Sequence, residues 1–373
     1  PVLARDGPGG QRVNAVGCYV FQGSFTVGVA ERFKVLAHLE DGDFGVNTFQ
    51  HNFPKVPVHT VVGEWPLDEL AGKVDLLYGN PPCAPFSPVG GAISKAAKAR
   101  GGWRVDPRLG CWENLVRAAK VIQPKVFVGE SVPRFYTQGW ELAGRYASEF
   151  AALDYEVTFL LHDIKFMGAG QQRRRVFLVA HKVALQFPTP NKQPATLQEV
   201  LEGLEDPGPY SVPSDEIVEV LHYLPYRGSL RTLFMQAYGN IPEDKWKGMG
   251  LHRHRFPTHR VAFDRPTGTV FGDVMVHPKE ARYLGVKEYA RLMGYPDGYW
   301  WDLDRPGDAI GEMVKAVTPY AARYISKVAK AGLTAGKRAK RGRVTEVKIW
   351  ANSQRVDDFK LVRSDVDITG RLP

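Results

Sequence analysis

Short hydrophobic runs alternate with amphipathic stretches along the first half of the chain, from residue 13 to about residue 182. The runs are rich in Val, Leu, Phe and Tyr, as is typical of buried strands. Helical periodicity between them predicts helices over Cys111–Ile122 and Trp140–Leu153. The predicted strands are Asn14–Phe21, Val35–Leu39, Val58–Val62, Val74–Tyr78, Val126–Gly129, Tyr155–Leu161 and Val176–Ala180. Repeated βα units of this kind predict an α/β fold with a doubly wound, mostly parallel sheet.

The pattern changes after residue 182. Prolines recur and regular helices are hard to place, which predicts a smaller inserted domain. Helical periodicity returns at Val286–Met293 and Ala309–Ala331. A basic run follows, and then strand-like fragments at Val344–Trp350 and Phe359–Val362, which we expect to form an appended hairpin or arm. The predicted divisions are residues 1–182 for the first domain, 183–281 for the insertion, 282–332 for the return to the first domain, and 333–373 for the linker and extension.

Charge and cysteine content narrow the class of protein. The chain has 373 residues with a formal net charge of +9, and this basic excess favours a polyanionic partner. Three cysteines, an odd and sparse set, favour a reducing compartment over a disulfide framework. No Cys/His spacing is typical of a zinc site, no apolar run reaches 18 residues, and the N-terminus lacks a signal-peptide core. We therefore expect a cytoplasmic monomer without a metal or a membrane span.

A cysteine stands directly after a predicted buried strand. Two prolines, Pro81 and Pro82, end the strand and stiffen the turn that presents Cys83. The carboxyl ends of strands in open α/β sheets are where ligands bind, so a thiol held there is a candidate nucleophile. The alternative is a small buried cysteine that packs as a hydrophobic residue.

A glycine turn after the first predicted strand is a candidate nucleotide site. Phe21-Gln22-Gly23 allows a close approach to a ligand, and Glu40 at the end of the second strand is placed to bind ribose hydroxyls. The turn lacks a full GxGxxG, so a nucleoside without phosphates, such as S-adenosylmethionine (SAM), fits better than a dinucleotide. An ordinary βα turn with a solvated Glu40 is the alternative.

Taken in chain order, these motifs resemble the cytosine-C5 DNA methyltransferases. The similarity spans about residues 13–330. The matching segments are Phe21-x-Gly23, Glu40, Gly63-Glu64-Trp65, Pro81-Pro82-Cys83-x-Pro85-Phe86-Ser87, Gly129-Glu130-Ser131-Val132, Gln171-x-Arg173-x-Arg175, Arg282-x-Leu284 with Glu288-x-x-Arg291-x-x-Gly294-Tyr295-Pro296, and Ala316-Val317-Thr318-Pro319. Glu64 stands where the family usually has Asp, and Ser131 where it usually has Asn. The resemblance implies a SAM-dependent methyltransferase fold in which residues 183–281 are the target-recognition domain.

The resemblance implies roles for particular residues. Cys83 is the nucleophile that adds to carbon 6 of cytosine, Glu130 protonates ring nitrogen N3, and Arg173 and Arg175 supply positive charge. Strand alternation places Arg173 and Arg175 on one face and Arg174 on the other. The cofactor-binding residues are Phe21, Gly23, Glu40, Glu64, Trp65, Pro81 and Lys315.

The implied partner is double-stranded DNA in a bacterial or phage-infected cell. The target base must leave the duplex stack, and the glycine-rich loop 88–105 is expected to close over it. A basic cluster in residues 252–260 is expected to contact phosphates or guanine. The predicted DNA-binding residues are Ser87, Arg104, Gln171, Arg253, Arg255 and Arg260.

One departure from the family pattern concerns the group donor. Lys315 stands where the family has asparagine near the transferable methyl, although a second register places Glu312 there. A lysine ammonium repels the SAM sulfonium but attracts the carboxylate of carboxy-S-adenosylmethionine (carboxy-SAM). The sequence therefore leaves two products open, 5-methylcytosine and 5-carboxymethylcytosine. A tRNA cytosine methyltransferase and an inactive DNA-binding homologue are further alternatives.

Overall fold

A sheet of eight strands forms the centre of the protein in a computed structural model. The structure describes residues 13–87, 101–190, 192–210, 221, 222, 224, 226–230, 232, 258–272 and 274–349. The strands of the described part are β1 (Asn14–Cys18), β2 (Lys34–Leu39), β3 (Val58–His59), β4 (Leu76–Gly79), β5 (Val126–Ser131), β6 (Glu156–Asp163), β7 (Arg174–His181), β8 (His259–Arg260), β9 (Met275–Val276) and β10 (Val344–Ile349). The order in the large sheet is β10-β6-β7-β5-β4-β1-β2-β3, and β8 pairs with β9 separately. Only β7 runs antiparallel to its neighbours β5 and β6, so the mostly parallel α/β fold predicted from the sequence is confirmed.

Helices cover both faces of this sheet. They are α1 (Ser24–Ala30), α2 (Val46–Asn52), α3 (Leu67–Leu70), α4 (Leu109–Ile122), α5 (Pro133–Thr137), α6 (Trp140–Ala152), α7 (Leu197–Leu201), α8 (Val286–Met293), α9 (Pro306–Lys315) and α10 (Pro319–Ala335). Short 3₁₀ turns lie at Val62–Glu64, Gly102–Val105 and Ile164–Met167.

The two faces carry separate hydrophobic cores because neighbouring side chains of a strand point in opposite directions. In β4, Tyr78 belongs to one core and Leu77 to the other. Both are fully buried, which explains why the central strands are nearly continuous apolar runs. Leu197 and Val270, from the region after β7, join the core that contains Tyr78.

The helical pattern predicted over Ala309–Ala331 is two helices rather than one. Pro319 cannot continue a preceding helix because it has no backbone N–H, but it fits the first turn of the next one. Thr318 caps α10, since its hydroxyl accepts a hydrogen bond from the backbone N–H of Ala321. The break leaves the backbone of residues 316–318 free to bond elsewhere.

The C-terminal extension differs from the arm that the sequence predicted. Its strand, β10, is the edge strand of the large sheet and pairs in parallel with β6. The hydroxyls of Thr345 and Thr158 lie 2.9 Å apart, and Tyr136 donates a hydrogen bond to Glu346. The sequence could not show this because β6 offers its free edge only once the sheet has formed. The second predicted fragment, Phe359–Val362, lies outside the described residues.

Candidate active site at the carboxyl edge of the sheet

The Cys83 turn follows the carboxyl end of β4. The backbone N–H groups of Phe86 and Ser87 both donate to the carbonyl of Cys83, each at 3.0 Å, and close a tight turn around it. Pro81 is buried beneath this turn, and the Cys83 side chain is only partly buried. The thiol is therefore held on a rigid turn with access to solvent.

Asn80 links the turn to two other parts of the site. Its Nδ2 donates to Glu130 Oε2 at 2.7 Å, and its Oδ1 accepts the backbone N–H of Val317 at 3.1 Å. The side chain is buried, so both bonds are sheltered from water. The sequence analysis gave Asn80 no role, although a polar residue between a buried strand and two prolines was a usable signal.

Glu130 lies near the end of β5 and faces Arg175. Arg175 Nε lies 3.0 Å from Glu130 Oε1, but Oε1 accepts no aligned hydrogen bond in the described structure. Burial raises the pKa of Glu130, and the positive charges of Arg175 and Arg173 oppose that rise. The carboxyl group is thus held by Asn80 through one oxygen, while the other oxygen can carry a proton.

Arg173 is fully buried and connects three segments of the chain. Its guanidinium donates to the backbone carbonyls of Val270, Val314 and Ala316 at 2.7 to 3.0 Å. The residues before α10 and the region after β7 are thereby fixed against the start of β7. Arg173 still influences Cys83 through its charge, but its hydrogen bonds are structural.

Opposing influences set the acidity of the Cys83 thiol. Burial raises its pKa and the Glu130 carboxylate adds to the rise, whereas Arg175 and, more weakly, Arg173 lower it. The balance lies above the ordinary thiol value, so the thiolate is a minority form at neutral pH. Among the groups that lower the pKa of Cys83, Arg175 has the largest effect.

We expect Arg175→Gln to make Cys83 harder to ionise. The thiolate is the form that attacks iodoacetamide and displaces iodide, so the alkylation rate rises with pH through the pKa of Cys83. Loss of the Arg175 charge raises that pKa, and the curve should move to higher pH by about one unit. Arg174→Gln is the matched control, because Arg174 lies near Asp163. Equal curves for the two variants would contradict an electrostatic role for Arg175.

The predicted cofactor residues Phe21, Glu40 and Trp65 lie together at the ends of β1 and β2. The backbone N–H of Phe21 donates to Glu40 Oε1 at 2.7 Å, and His38 Nε2 lies 2.6 Å from the same oxygen. Trp65 Nε1 donates to the backbone carbonyl of Glu40 at 2.9 Å. Burial raises the pKa of Glu40, and His38 opposes the rise. These contacts fix the Glu40 carboxylate against the backbone of Phe21.

Gly23 and Glu64, two further predicted cofactor-binding residues, differ in their exposure to solvent. Gly23 has φ +94°, and a Cβ at this position would lie 2.7 Å from the ring of Phe53, so only glycine fits. Glu64 is exposed in the 3₁₀ turn before Trp65. Glu64 is therefore open to solvent, whereas the adjacent Trp65 is buried.

Lys315 is the last residue of α9 and is exposed. Its Nζ lies 4.2 Å from the centroid of the Phe44 ring, which is a cation–π contact. Phe44 in turn meets Phe21 edge to face, with the ring centroids 5.5 Å apart. The Lys315 ammonium therefore lies against an aromatic pair whose second member, Phe21, donates its backbone N–H to Glu40.

Two of the predicted DNA-binding residues lie close to the Cys83 turn. Ser87 ends the turn, and Arg104 is exposed, where it pairs with Glu141 at 2.6 Å and stacks over Trp103. The rings of Trp103 and Phe86 have their centroids 5.3 Å apart. Residues 101–105, the described end of the predicted loop 88–105, are therefore packed on the turn, and residues 88–100 lie outside the described residues. Two further predicted contacts, Arg253 and Arg255, lie outside the described residues.

Gln171 and Arg260, two further predicted DNA-binding residues, are buried in this structure. The Gln171 amide is buried and donates to the backbone carbonyl of Leu292 at 2.8 Å. Arg260 donates to the backbone carbonyls of Leu221, Leu224, His277 and Glu280. Both side chains bind backbone carbonyls in the interior, which favours a structural role over the DNA contact predicted for them from the sequence.

We expect Arg260→Ala to destabilise the protein without changing the salt dependence of DNA binding. Four carbonyl groups would lose their donor, at a cost of about 3 kcal/mol in the free energy of unfolding. Arg265→Ala is the control, since Arg265 is exposed beside Asp264. An unchanged melting temperature with a shallower salt slope would return Arg260 to the DNA interface.

The described residues contain neither a candidate membrane-spanning helix nor a candidate metal-binding cluster. No helix there has the length and apolar character needed to cross a membrane. Among the same residues, no group of three or more His, Cys, Asp or Glu side chains is arranged to hold a metal ion.

Comparison with known proteins identifies the family to which the chain belongs. The family model for C-5 cytosine-specific DNA methylase matches residues 21–331. Type II methyltransferase M.NgoPII of Neisseria gonorrhoeae is 25% identical over 76% of this chain and 85% of its own length. Type II methyltransferase M1.HphI of Haemophilus parahaemolyticus is 25% identical over 61% of this chain, and the match spans only 60% of that relative.

Solved structures share the fold at low sequence identity. The Dnmt2 methyltransferase of S. pombe has a TM-score of 0.59 at 14% identity, with 87% of this chain and all of that chain covered. Entamoeba histolytica methyltransferase EhMeth has a TM-score of 0.59 at 13% identity, with 87% and 99% covered. The mostly parallel sheet with its covering helices is the fold of SAM-dependent methyltransferases. The chain belongs to the C-5 cytosine-specific DNA methylase family.

Proposed function

We propose that this protein transfers a methyl group from SAM to carbon 5 of cytosine in double-stranded DNA. The observation that supports this best is the convergence of Cys83, Glu130 and Arg175 at one edge of the sheet. A nucleophile, a proton donor and a cation are the three groups that activation of a cytosine ring requires.

Cys83 begins the reaction as a thiolate. It forms a C–S bond at carbon 6 while N3 takes a proton from Glu130, and the π electrons shift so that a double bond joins carbons 4 and 5. Carbon 5 is then nucleophilic. After alkylation, which leaves the sulfur of the donor as a neutral thioether, water takes the proton from carbon 5 and the C–S bond breaks. N3 then returns its proton to Glu130, and the thiolate is released. The raised pKa of Glu130 suits a carboxyl group that must hold a proton before it donates one.

The pocket beside Phe21 has the donor set expected for a nucleoside. Glu40 can accept hydrogen bonds from ribose hydroxyls, and the Phe21 ring can pack against a purine. Trp65 holds the Glu40 backbone in place. SAM, when bound, supplies an electrophilic methyl group for carbon 5. The proximity of this pocket to the Cys83 turn follows from the adjacency of β1 and β4 in the sheet.

The substrate test separates DNA from tRNA. Purified protein given SAM should convert cytosine to 5-methylcytosine in duplex DNA and leave tRNA unmodified, as read by mass spectrometry of nucleosides. The region 183–281 supports this choice, because it supplies a second small sheet beyond the catalytic one. Modification of tRNA alone would favour the tRNA alternative, and no product with either substrate would favour an inactive homologue.

Lys315 supports a second candidate, transfer of a carboxymethyl group from carboxy-SAM. Its ammonium lies beside the same aromatic pocket and could pair with the carboxylate of that donor. Two charges 4 Å apart interact by about 4 kcal/mol at an effective dielectric of 20 but by only about 1 kcal/mol in water. Because Lys315 is exposed, its repulsion of SAM is screened, and methyl transfer remains the primary proposal.

The donor experiment compares wild type with Lys315→Asn. If Lys315 selects the donor, wild type prefers carboxy-SAM and the variant reverses the preference, by about tenfold to a hundredfold for one charged hydrogen bond. The product mass distinguishes cytosine plus methyl from cytosine plus carboxymethyl. Lys327→Asn, an exposed change on α10, is the control. Efficient methylation by both wild type and Lys315→Asn would exclude carboxymethyl transfer as the activity.

A further inference from the structure

His162 is a buried imidazole beside the catalytic groups, and the proposed mechanism gives it no role. It lies in β6 directly opposite Arg175 of β7 and is fully buried. Its ring stacks on Phe177, with centroids 4.9 Å apart and an interplanar angle of 9°. Phe177 is in turn the register partner of Glu130 in β5. Register partners share a face of the sheet, so His162, Arg175, Phe177 and Glu130 lie on the same side.

Both ring nitrogens of His162 lack a hydrogen-bond partner in the described structure. A neutral imidazole carries one donor and one acceptor, and burial without partners is unfavourable for each. Burial and the charges of Arg175 and Arg173 lower the pKa of His162 to about 3, so the ring is neutral. His181, buried in β7, differs because its ring contacts the carbonyl of Val183 and the hydroxyl of Thr158.

The direction of the Arg175 side chain gives His162 a position to act. Arg175 reaches across β7 to Glu130 on the β5 side, and its Nη1 donates to the backbone carbonyl of Arg174 at 2.7 Å. His162, stacked on Phe177, lies on the β6 side of the same arginine. Arg175 therefore has a carboxylate on one flank and an unused neutral acceptor on the other.

We propose that His162 is a positioning residue for Arg175, serving as an uncharged acceptor that keeps the guanidinium beside Cys83 when Glu130 is protonated. A protonated Glu130 no longer attracts Arg175 as a counter-ion. The unprotonated ring nitrogen of His162 then accepts an Arg175 N–H and prevents the cation from turning towards solvent. The charged and titratable groups around Arg175 on this face are Glu130 from β5, His162 from β6, Arg173 just before β7 and Cys83 from the turn after β4.

This proposal rests on the role of Arg175 at Cys83, and its test needs neither DNA nor a donor. The rate of Cys83 alkylation by iodoacetamide is measured against pH, with the modified peptide identified by mass. Glu130→Gln mimics the protonated carboxyl group. In that background, His162→Phe, which keeps a stacked ring but has no acceptor, should shift the curve upward by about one pH unit. In the wild-type background the shift should be clearly smaller, because Glu130 still holds the arginine.

His162→Gln keeps an acceptor and should restore the Glu130→Gln curve, whereas His162→Leu, a smaller apolar residue, should behave like His162→Phe. The control is His181→Phe, which replaces a different buried ring in the same sheet. It should leave the alkylation curve unchanged in both the wild-type and the Glu130→Gln background. With DNA and SAM, His162→Phe should lower kcat by about tenfold and leave KM for SAM within twofold.

Some outcomes would overturn the proposal. Identical alkylation curves for His162→Phe and His162→Gln would remove the acceptor role, and an equal shift in His181→Phe would show a general packing effect. If His162→Phe does not fold, His162→Leu replaces it in the comparison with His162→Gln. Because alkylation reports on free enzyme, failure of DNA modification as such would leave this result standing.

Discussion

Cys83→Ala is expected to abolish transfer to DNA. Without the thiol no bond to carbon 6 can form, and carbon 5 of cytosine remains a poor nucleophile, so turnover should fall by at least about 10⁴-fold. Covalent trapping on DNA containing 5-fluorocytosine should disappear with it. SAM binding should be almost unchanged, because the alanine keeps the turn that Phe86 and Ser87 close through the backbone.

Cys18→Ala is the matched control for this experiment. Cys18 is also a free thiol but is fully buried in β1. Its replacement costs packing energy, of about 1 kcal/mol for a small cavity, and should leave trapping intact. Full transfer by Cys83→Ala, or loss of trapping in both variants at equal stability, would contradict covalent catalysis by Cys83.

Glu130→Gln is expected to have the second largest effect. The amide can still accept the Asn80 hydrogen bond through its oxygen and has almost the same shape. It cannot give a proton to N3, and general acid catalysis of this kind contributes about 10²- to 10⁴-fold. We therefore expect kcat to fall by about 10²-fold or more, with a much smaller change in affinity for DNA.

The pH dependence provides a second measure of Glu130. The reaction needs the protonated carboxyl group, so wild-type kcat should fall as pH rises through the raised pKa of Glu130. That limb should be absent in Glu130→Gln. Glu113→Gln, an exposed change on α4, should keep both the rate and the limb. A rate for Glu130→Gln within threefold of wild type would exclude Glu130 as the proton donor.

Local sequence was informative wherever a property repeats along a single strand or turn. The hydrophobic runs gave the order of elements in the α/β fold, which the structure confirms. Strand alternation predicted that Arg173 and Arg175 share a face apart from Arg174, and both act electrostatically on Cys83. Strand-end positions likewise singled out Cys83 and Glu40, because parallel strands bring their carboxyl ends to one edge.

Partners that are distant along the chain were not predictable in this way. Arg173 binds the carbonyl of Val270, 97 residues away, and that of Ala316, 143 residues away. These bonds use backbone oxygens, which every residue carries, so no side-chain pattern marks them. The same reason explains why the sequence did not reveal the interior partners of Gln171 and Arg260.

The sequence by itself determined which chemical groups this protein has and the edge at which they collect, since periodicity and strand-end spacing are local properties. The tertiary structure alone decided how those groups are used. It made β10 the edge strand beside β6, fixed Asn80 between Glu130 and Val317, and buried His162 against Phe177. Burial, charge and hydrogen-bond satisfaction depend on every segment that packs around a group, and those segments meet only when the sheet has formed.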